Sequence, residues 1–185
     1  MNKLTTIAFV LLSITFSMSQ QQSEKTIENS VTVQPETFEE VIVDKKEYTL
    51  KISIENTDNK NLVLVIEMVL KNDAHFVSPL EKKDYKGKFH FDFGSYKDLE
   101  FEGEVSESPR SVAKVLYPNY TSKREGTLWI TENTIYKQAL NLKTTNDFEV
   151  YGRVQFTIEP TCTFEETPFA ISYKDGKFTF VDPKC

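Results

Sequence analysis

Absences bound this chain of 185 residues before any motif does. Two cysteines are too few for a disulfide scaffold, and two histidines leave little for a metal or acid–base centre. Helical periodicity is nearly missing. Val112, Val115 and Leu116 have the spacing of one turn, and Pro118 stops it. The chain has no Gly-rich phosphate loop, no Ser-His-Asp arrangement with a local signature and no basic-aromatic stripe. An ordinary hydrolase, a nucleotide enzyme and a nucleic-acid binder are therefore unsupported. Acidic residues outnumber basic ones 28 to 22, which disfavours nucleic acid and anionic lipid as partners. There is no internal repeat and no low-complexity tract. Past the first 19 residues, no run is long and apolar enough to cross a bilayer.

What is present begins with a secretory pattern. Lys3 supplies a basic start, Ile7 to Phe16 is an apolar run, and Ser17-Met-Ser19 offers small residues for a signal peptidase. The apolar run falls short of the roughly 20 residues that span a membrane, and no cysteine follows it. Residues 1–19 are therefore expected to be a signal peptide cleaved before Gln20, giving a soluble periplasmic or secreted protein. Removing 19 of 185 residues leaves 166, and losing Lys3 takes the net charge from −6 to −7. A domain of this size buries about 70% of its unfolded surface and can fold without staples.

Residues 20–40 form a polar leader without a clean period, either disordered or adding an edge strand at Val31-Thr-Val33. Residues 41–185 read as a β domain. Tyr48, Leu50, Ile52 and Ile54 alternate with polar neighbours, and Leu62 to Leu70 is apolar on nearly both faces, as a central strand is. Phe89, Phe91 and Phe93 alternate, as do Leu99, Phe101 and Val105. Leu128-Trp-Ile130 and Ala139-Leu-Asn-Leu142 follow. The clearest strand is Phe148 to Ile158, with Phe148, Val150, Gly152, Val154, Phe156 and Ile158 on one face. It ends at Pro160 and delivers Cys162 just beyond. Ala170–Tyr173 and Phe178–Val181 are joined by Lys174-Asp-Gly-Lys177, a strong hairpin signal. The expected fold is all-β: an immunoglobulin-like antiparallel β-sandwich of about 8–9 strands, with turns every ten residues or so.

Several of these segments resemble one family. The Phe148–Cys162 strand, followed by Phe169-Ala-Ile, is similar to the end of the N-terminal immunoglobulin-like domain of DsbD-type thiol:disulfide interchange proteins. There a G-x-V-x-aromatic strand runs into a cysteine pair that carries electrons. Asp73-Ala-His-Phe-Val-Ser78, Phe101-Glu-Gly-Glu-Val-Ser-Glu-Ser-Pro109 and Tyr136-Lys-Gln-Ala139 resemble further pieces of that domain in the same order, over roughly Tyr48 to Val181. The resemblance implies a periplasmic domain that takes part in, or derives from, thiol:disulfide interchange and docks thioredoxin-like or transmembrane redox proteins. It also implies that Cys162 is the catalytic cysteine. The family's first cysteine, however, falls within Ile158-Glu159-Pro160, where there is no thiol. That weighs against enzymatic activity. A different class of function competes: a non-enzymatic immunoglobulin-like binding or scaffold module with one structural disulfide.

The chemistry of the cysteines follows from this. A lone Cys162 cannot resolve a mixed disulfide, so a second thiol is required. Counting back around Asp175-Gly176 places Cys185 near Glu166, with the loop around Pro168 folding back. Three states stay open: a structural Cys162–Cys185 bridge, a redox-active pair, and two free thiols. A structural bridge across the 22 intervening residues would add about 3 kcal/mol by the chain-entropy argument. Glu159, Glu165 and Glu166 are expected to surround Cys162 and raise its pKa. His75 and His90 match no compact ligand spacing, and His90 falls on the solvent side of its strand. Glu100, Glu102, Glu104 and Glu107 read as a solvated strand face before a calcium site. No metal and no cofactor is expected. Trp129 is expected to pack between sheets, and Asn119-Tyr-Thr121 fits a glycosylation sequon.

Overall fold

The computed structural model describes residues 36–37, 39–57, 61–94, 96–116 and 126–183. The signal-like segment, Val31–Val33, the Asn119 sequon and Cys185 lie outside them. The described chain is built of strands: β1 (Glu36–Thr37), β2 (Val41–Asp44), β3 (Tyr48–Thr57), β4 (Asn61–Leu70), β5 (Phe76–Val77), β6 (His90–Asp92), β7 (Leu99–Ser108), β8 (Ala113–Lys114), β9 (Thr127–Ile130), β10 (Thr134–Leu142), β11 (Phe148–Ile158), β12 (Thr163–Lys174) and β13 (Lys177–Val181). Nine of these have four residues or more, in line with the eight or nine expected. No helix among the described residues is long and apolar enough to cross a membrane.

Every pairing is antiparallel. One sheet runs β3-β4-β10-β7, with β1 and β2 both on the free edge of β3. The second runs β13-β12-β11-β6, and β5-β9-β8 make a small third. Among the described residues the first to pair are Glu36 and Thr37, inside the segment read as a polar leader.

The two large sheets pack inner face to inner face, because period-two apolar positions leave each with one greasy side. Tyr48, Leu50, Ile52 and Ile54 of β3 and Val150, Val154, Phe156 and Ile158 of β11 are all buried in one core. Aromatic rings stitch the layers. Tyr48 meets Phe156 edge-on at 5.1 Å, Tyr136 stacks on Phe89 at 4.7 Å, and Phe76 lies 5.5 Å from Phe156. Gly152 belongs to this face because the Phe169 ring lies over it: a Cβ there would come within 2.4 Å of Phe169 Cζ and 2.9 Å of the Asp92 carbonyl.

The turns follow their chemistry. Asp175 and Gly176, at φ of 50° and 77°, form the two-residue turn that pairs Lys174 with Lys177. Three details differ from the sequence reading. Residues 113–114 form a short strand against β9, not a helical turn, and Val112 and Val115 point to solvent. Pro168 lies within β12 opposite Arg153 and not in a loop. β13 stops opposite Ala170, so Pro168 lacks its N–H on an edge where no ladder is broken. Trp129 is buried, but in the small third sheet and outside the main core, against His75 at 5.3 Å and Tyr85 at 6.4 Å.

Candidate functional site

The Cys162 end of the sandwich is the tip of the β11–β12 hairpin. Ile158, the last core residue of β11, pairs with Thr163, and Glu159-Pro-Thr-Cys162 make the connection. Pro160 has no N–H to continue the ladder, which ends the pairing. Cys162 takes φ of 51°, the left-handed region that L residues rarely enter, and this turns its side chain back over the loop. Hydroxyls tie the turn together: Thr161 Oγ1 donates to the Ile158 carbonyl at 3.3 Å and lies 3.1 Å from Thr163 Oγ1.

The tip is anchored from the side. His75 N–H donates to the Glu159 carbonyl at 3.0 Å, and Glu159 N–H donates to the His75 carbonyl at 2.8 Å. His75 Nδ1 lies 3.0 Å from the Asp73 carbonyl, and the ring meets Trp129 edge-on. The segment Asp73–Ser78 and the cysteine turn, 80 residues apart in sequence, are therefore one structural unit.

Cys162 is an exposed, free thiol. Its Sγ lies 3.0 Å from Glu159 Oε2 and 3.3 Å from Oε1, so the S–H donates to the carboxylate. That hydrogen bond, and next the carboxylate's charge, push the thiol pKa above its ordinary value. Of the three acids expected around Cys162, only Glu159 touches it. Glu165 accepts from Tyr48 Oη at 2.9 Å, tying β12 to β3 across the layers, and Glu166 pairs with Gln155 Nε2.

Cys185 lies outside the described residues, but the register bears on a bridge between the two cysteines. Val181 faces Ala170. Four further residues reach at most about 14 Å, while Cys162 is eight residues up β12, about 26 Å away. The remainder exceeds the roughly 7 Å that separates disulfide-linked Cα atoms. Closing a Cys162–Cys185 bridge would require the Thr163–Glu166 end of β12 to fold back toward β13.

The other candidates separate. His90 is exposed on β6, with Nε2 3.0 Å from Asp92 Oδ2, far along the sheet from His75's contact with the tip. Glu100, Glu102 and Glu104 point outward on β7, and Glu100 pairs with Lys143 at 3.2 Å. Glu107 departs from that row. It accepts from buried Ser78 Oγ at 2.5 Å and from Ser111 N–H at 2.7 Å. Among the described residues, no group of three or more His, Cys, Asp or Glu could hold a metal ion.

Glu81 escaped the sequence reading. It is buried, and burial pushes its pKa up, but the N–H groups of Lys83 (3.0 Å) and Leu128 (2.9 Å) bond its carboxylate and hold it below the ordinary value. The Ser-Pro-Leu-Glu-Lys-Lys run around it carries no periodic signal, which is why only the tertiary contact reveals it.

No family model matches the chain, and no curated protein matches it. Among solved structures it is similar to the GAE domain of GGA2p from Saccharomyces cerevisiae, at 9% identity, with a TM-score of 0.39 over 74% of this chain and 99% of that one. The sandwich assignment rests on the strand pairing itself.

Proposed function

We propose that this chain is an exported immunoglobulin-like binding domain of the DsbD N-terminal kind. It docks a thioredoxin-like partner through the end carrying Cys162 and does not itself carry electrons. The observation behind this reading is the S–H to carboxylate bond between Cys162 and Glu159. A thiol that exchanges disulfides works as the thiolate and is normally placed beside a positive charge or a helix N-terminus. Here the turn offers a carboxylate, which favours the protonated form. The resemblance supplies the partner class and the periplasmic or secreted setting. Exposure of the turn and its anchoring to His75 supply a rigid contact surface at a sandwich end, where loops serve recognition. The scaffold alternative depends on a Cys162–Cys185 bridge, and the register weighs against it.

The test uses the exported protein, with intact mass expected to place its start at Gln20, and a thioredoxin whose resolving cysteine is replaced by serine. Calorimetry should detect association that survives Cys162→Ser, and the wild-type protein should neither reduce nor oxidise the thioredoxin at a catalytic rate. Rapid exchange that depends on Cys162 would make it an electron carrier. No association with either protein would remove the thioredoxin-like partner.

A further inference from the structure

The hairpin that presents Cys162 is paired unequally on its two sides. The β11 side is closed: Thr157 N–H donates to the Gly87 carbonyl at 2.7 Å, and Glu159 exchanges both bonds with His75. The β12 side is open. β13 ends opposite Ala170, and no described strand pairs with Thr163 to Phe169 on that side.

The bonds on the closed side fix which groups are free. Thr157 and Glu159 point away from β12, so the alternate residues of β11, Phe156 and Ile158, bond to Glu165 and Thr163. By the same parity Phe164 and Glu166 turn their N–H and C=O outward, as Ala170, Ser172 and Lys174 do toward β13. Phe164 also exposes 58% of its surface.

This open edge borders a groove of about 440 Å³. Its far wall is β2, which among the described residues pairs only with β3 and leaves its other edge open. Val41, Val43, Phe169 and Phe180 supply apolar lining, and the charged lining residues are Glu40, Glu166 and Asp182 with Lys45; Glu40 is paired with Lys51 at 2.7 Å and Glu166 is bonded by Gln155.

We propose that this edge is a strand-addition site: an extended segment of a partner protein, alternating basic and apolar residues, pairs with β12 along Phe164–Glu166. Its basic side chains meet the acidic rim, and its apolar side chains enter the groove. The inference rests on the reading that this end of the sandwich docks a partner, and adds the mode and chemistry of contact. Main-chain bonds supply affinity in such pairing, and alternate side-chain pockets supply specificity. A second copy of this chain is a poor occupant. Antiparallel pairing of two β12 edges centred on Glu165 or on Glu166 would set that glutamate against its own copy, and like charges opposite one another repel. Glu166 and Pro168 are the kind of residue that guards a free edge. They leave it open only to a segment that is short and positively charged.

The probe is a synthetic octapeptide alternating lysine and valine, with a glutamate–valine octapeptide as control, read by amide hydrogen exchange and NMR shifts of the full exported chain. In the free protein the Phe164 and Glu166 amides should exchange fast, and those of Glu165 and Thr167 slowly. The lysine–valine peptide should slow Phe164 and Glu166 at least tenfold and shift Val41 and Val43. The acidic peptide should do neither. Glu166→Pro removes one edge donor without touching the β11 ladder and should abolish the effect, and Glu166→Lys should weaken it several-fold, with both variants keeping wild-type circular dichroism. If Glu166→Pro fails to fold, Glu166→Lys alone decides. Protection of both amides in the free protein, through self-association or its own chain, overturns the proposal. So does peptide binding that leaves those amides unchanged, or no binding. If thioredoxin association persists in Glu166→Pro while peptide protection never occurs, the docking end stands and the strand-addition mode falls.

Discussion

At the residue scale one contact decides the chemistry of Cys162. Its S–H rests on Glu159, which stabilises the protonated form, so the thiolate fraction at neutral pH is smaller than for a free cysteine. Alkylation by iodoacetamide follows the thiolate, and its rate should therefore rise through a midpoint above the ordinary thiol value. Glu159→Gln keeps the shape of the turn and removes the charge, so the midpoint should fall back toward about 8.5. Alkylation at pH 7 should accelerate accordingly. An unchanged pH profile would show that Glu159 does not control the thiol. Sequence reading had the direction right, because three acids flank the cysteine within a few residues. It could not separate them. Alternation in β12 sends Glu165 inward to Tyr48 and Glu166 outward to Gln155, and only the turn brings Glu159 back over the sulfur.

At the scale of the element, β11 was fully legible. Six alternating residues were assigned to one face, and that face is the buried one, with only Phe148 at its start partly open. The reason Gly152 interrupts an otherwise bulky series was not legible, since it depends on the ring of Phe169 one strand over. Gly152→Ala should destabilise the domain by about 1–3 kcal/mol through overpacking, as its Cβ would meet both that ring and the Asp92 backbone. Urea denaturation should show the loss, and pairing the change with Phe169→Leu should recover part of it, a coupling that a double-mutant cycle measures. The bulge in β7 is another tertiary feature. The register slips between Lys137 and Ala139, Gly103 takes φ of 71°, and buried Gln138 donates to the carbonyls of Glu102 (2.7 Å) and Gly103 (3.1 Å). Period-two counting sees Gln138 only as a polar residue on an inward face.

For the whole molecule, the aromatic cluster carries the union of the sheets. Phe156 of β11 touches Tyr48 of β3, Phe76 of β5 and Phe89 just before β6, so it joins its own sheet to the other large sheet and to β5. Phe156→Ala should cost about 3–5 kcal/mol, a large part of the 5–15 kcal/mol by which domains are stable. Trp129 lies in the third sheet, outside that core, and its fluorescence reports on a different region from far-ultraviolet circular dichroism. The two signals should nonetheless report one urea transition, because His75 links the third sheet's Trp129 to the β11 tip. Separate transitions would show that the small sheet unfolds on its own.

Local pattern alone determined the class of fold, the long strands β3, β4, β7 and β11, the Asp175-Gly176 hairpin and its register, and the solvent side of His90. These follow from side-chain alternation and turn stereochemistry, which are properties of neighbours in the chain. Tertiary structure alone decided where Trp129 packs, which acid meets Cys162, that Asp73–Ser78 braces the cysteine turn, and which edge of the sandwich stays open. Each of these depends on segments tens of residues apart meeting in a particular register. A period of two says which face a residue takes and nothing about what lies opposite it.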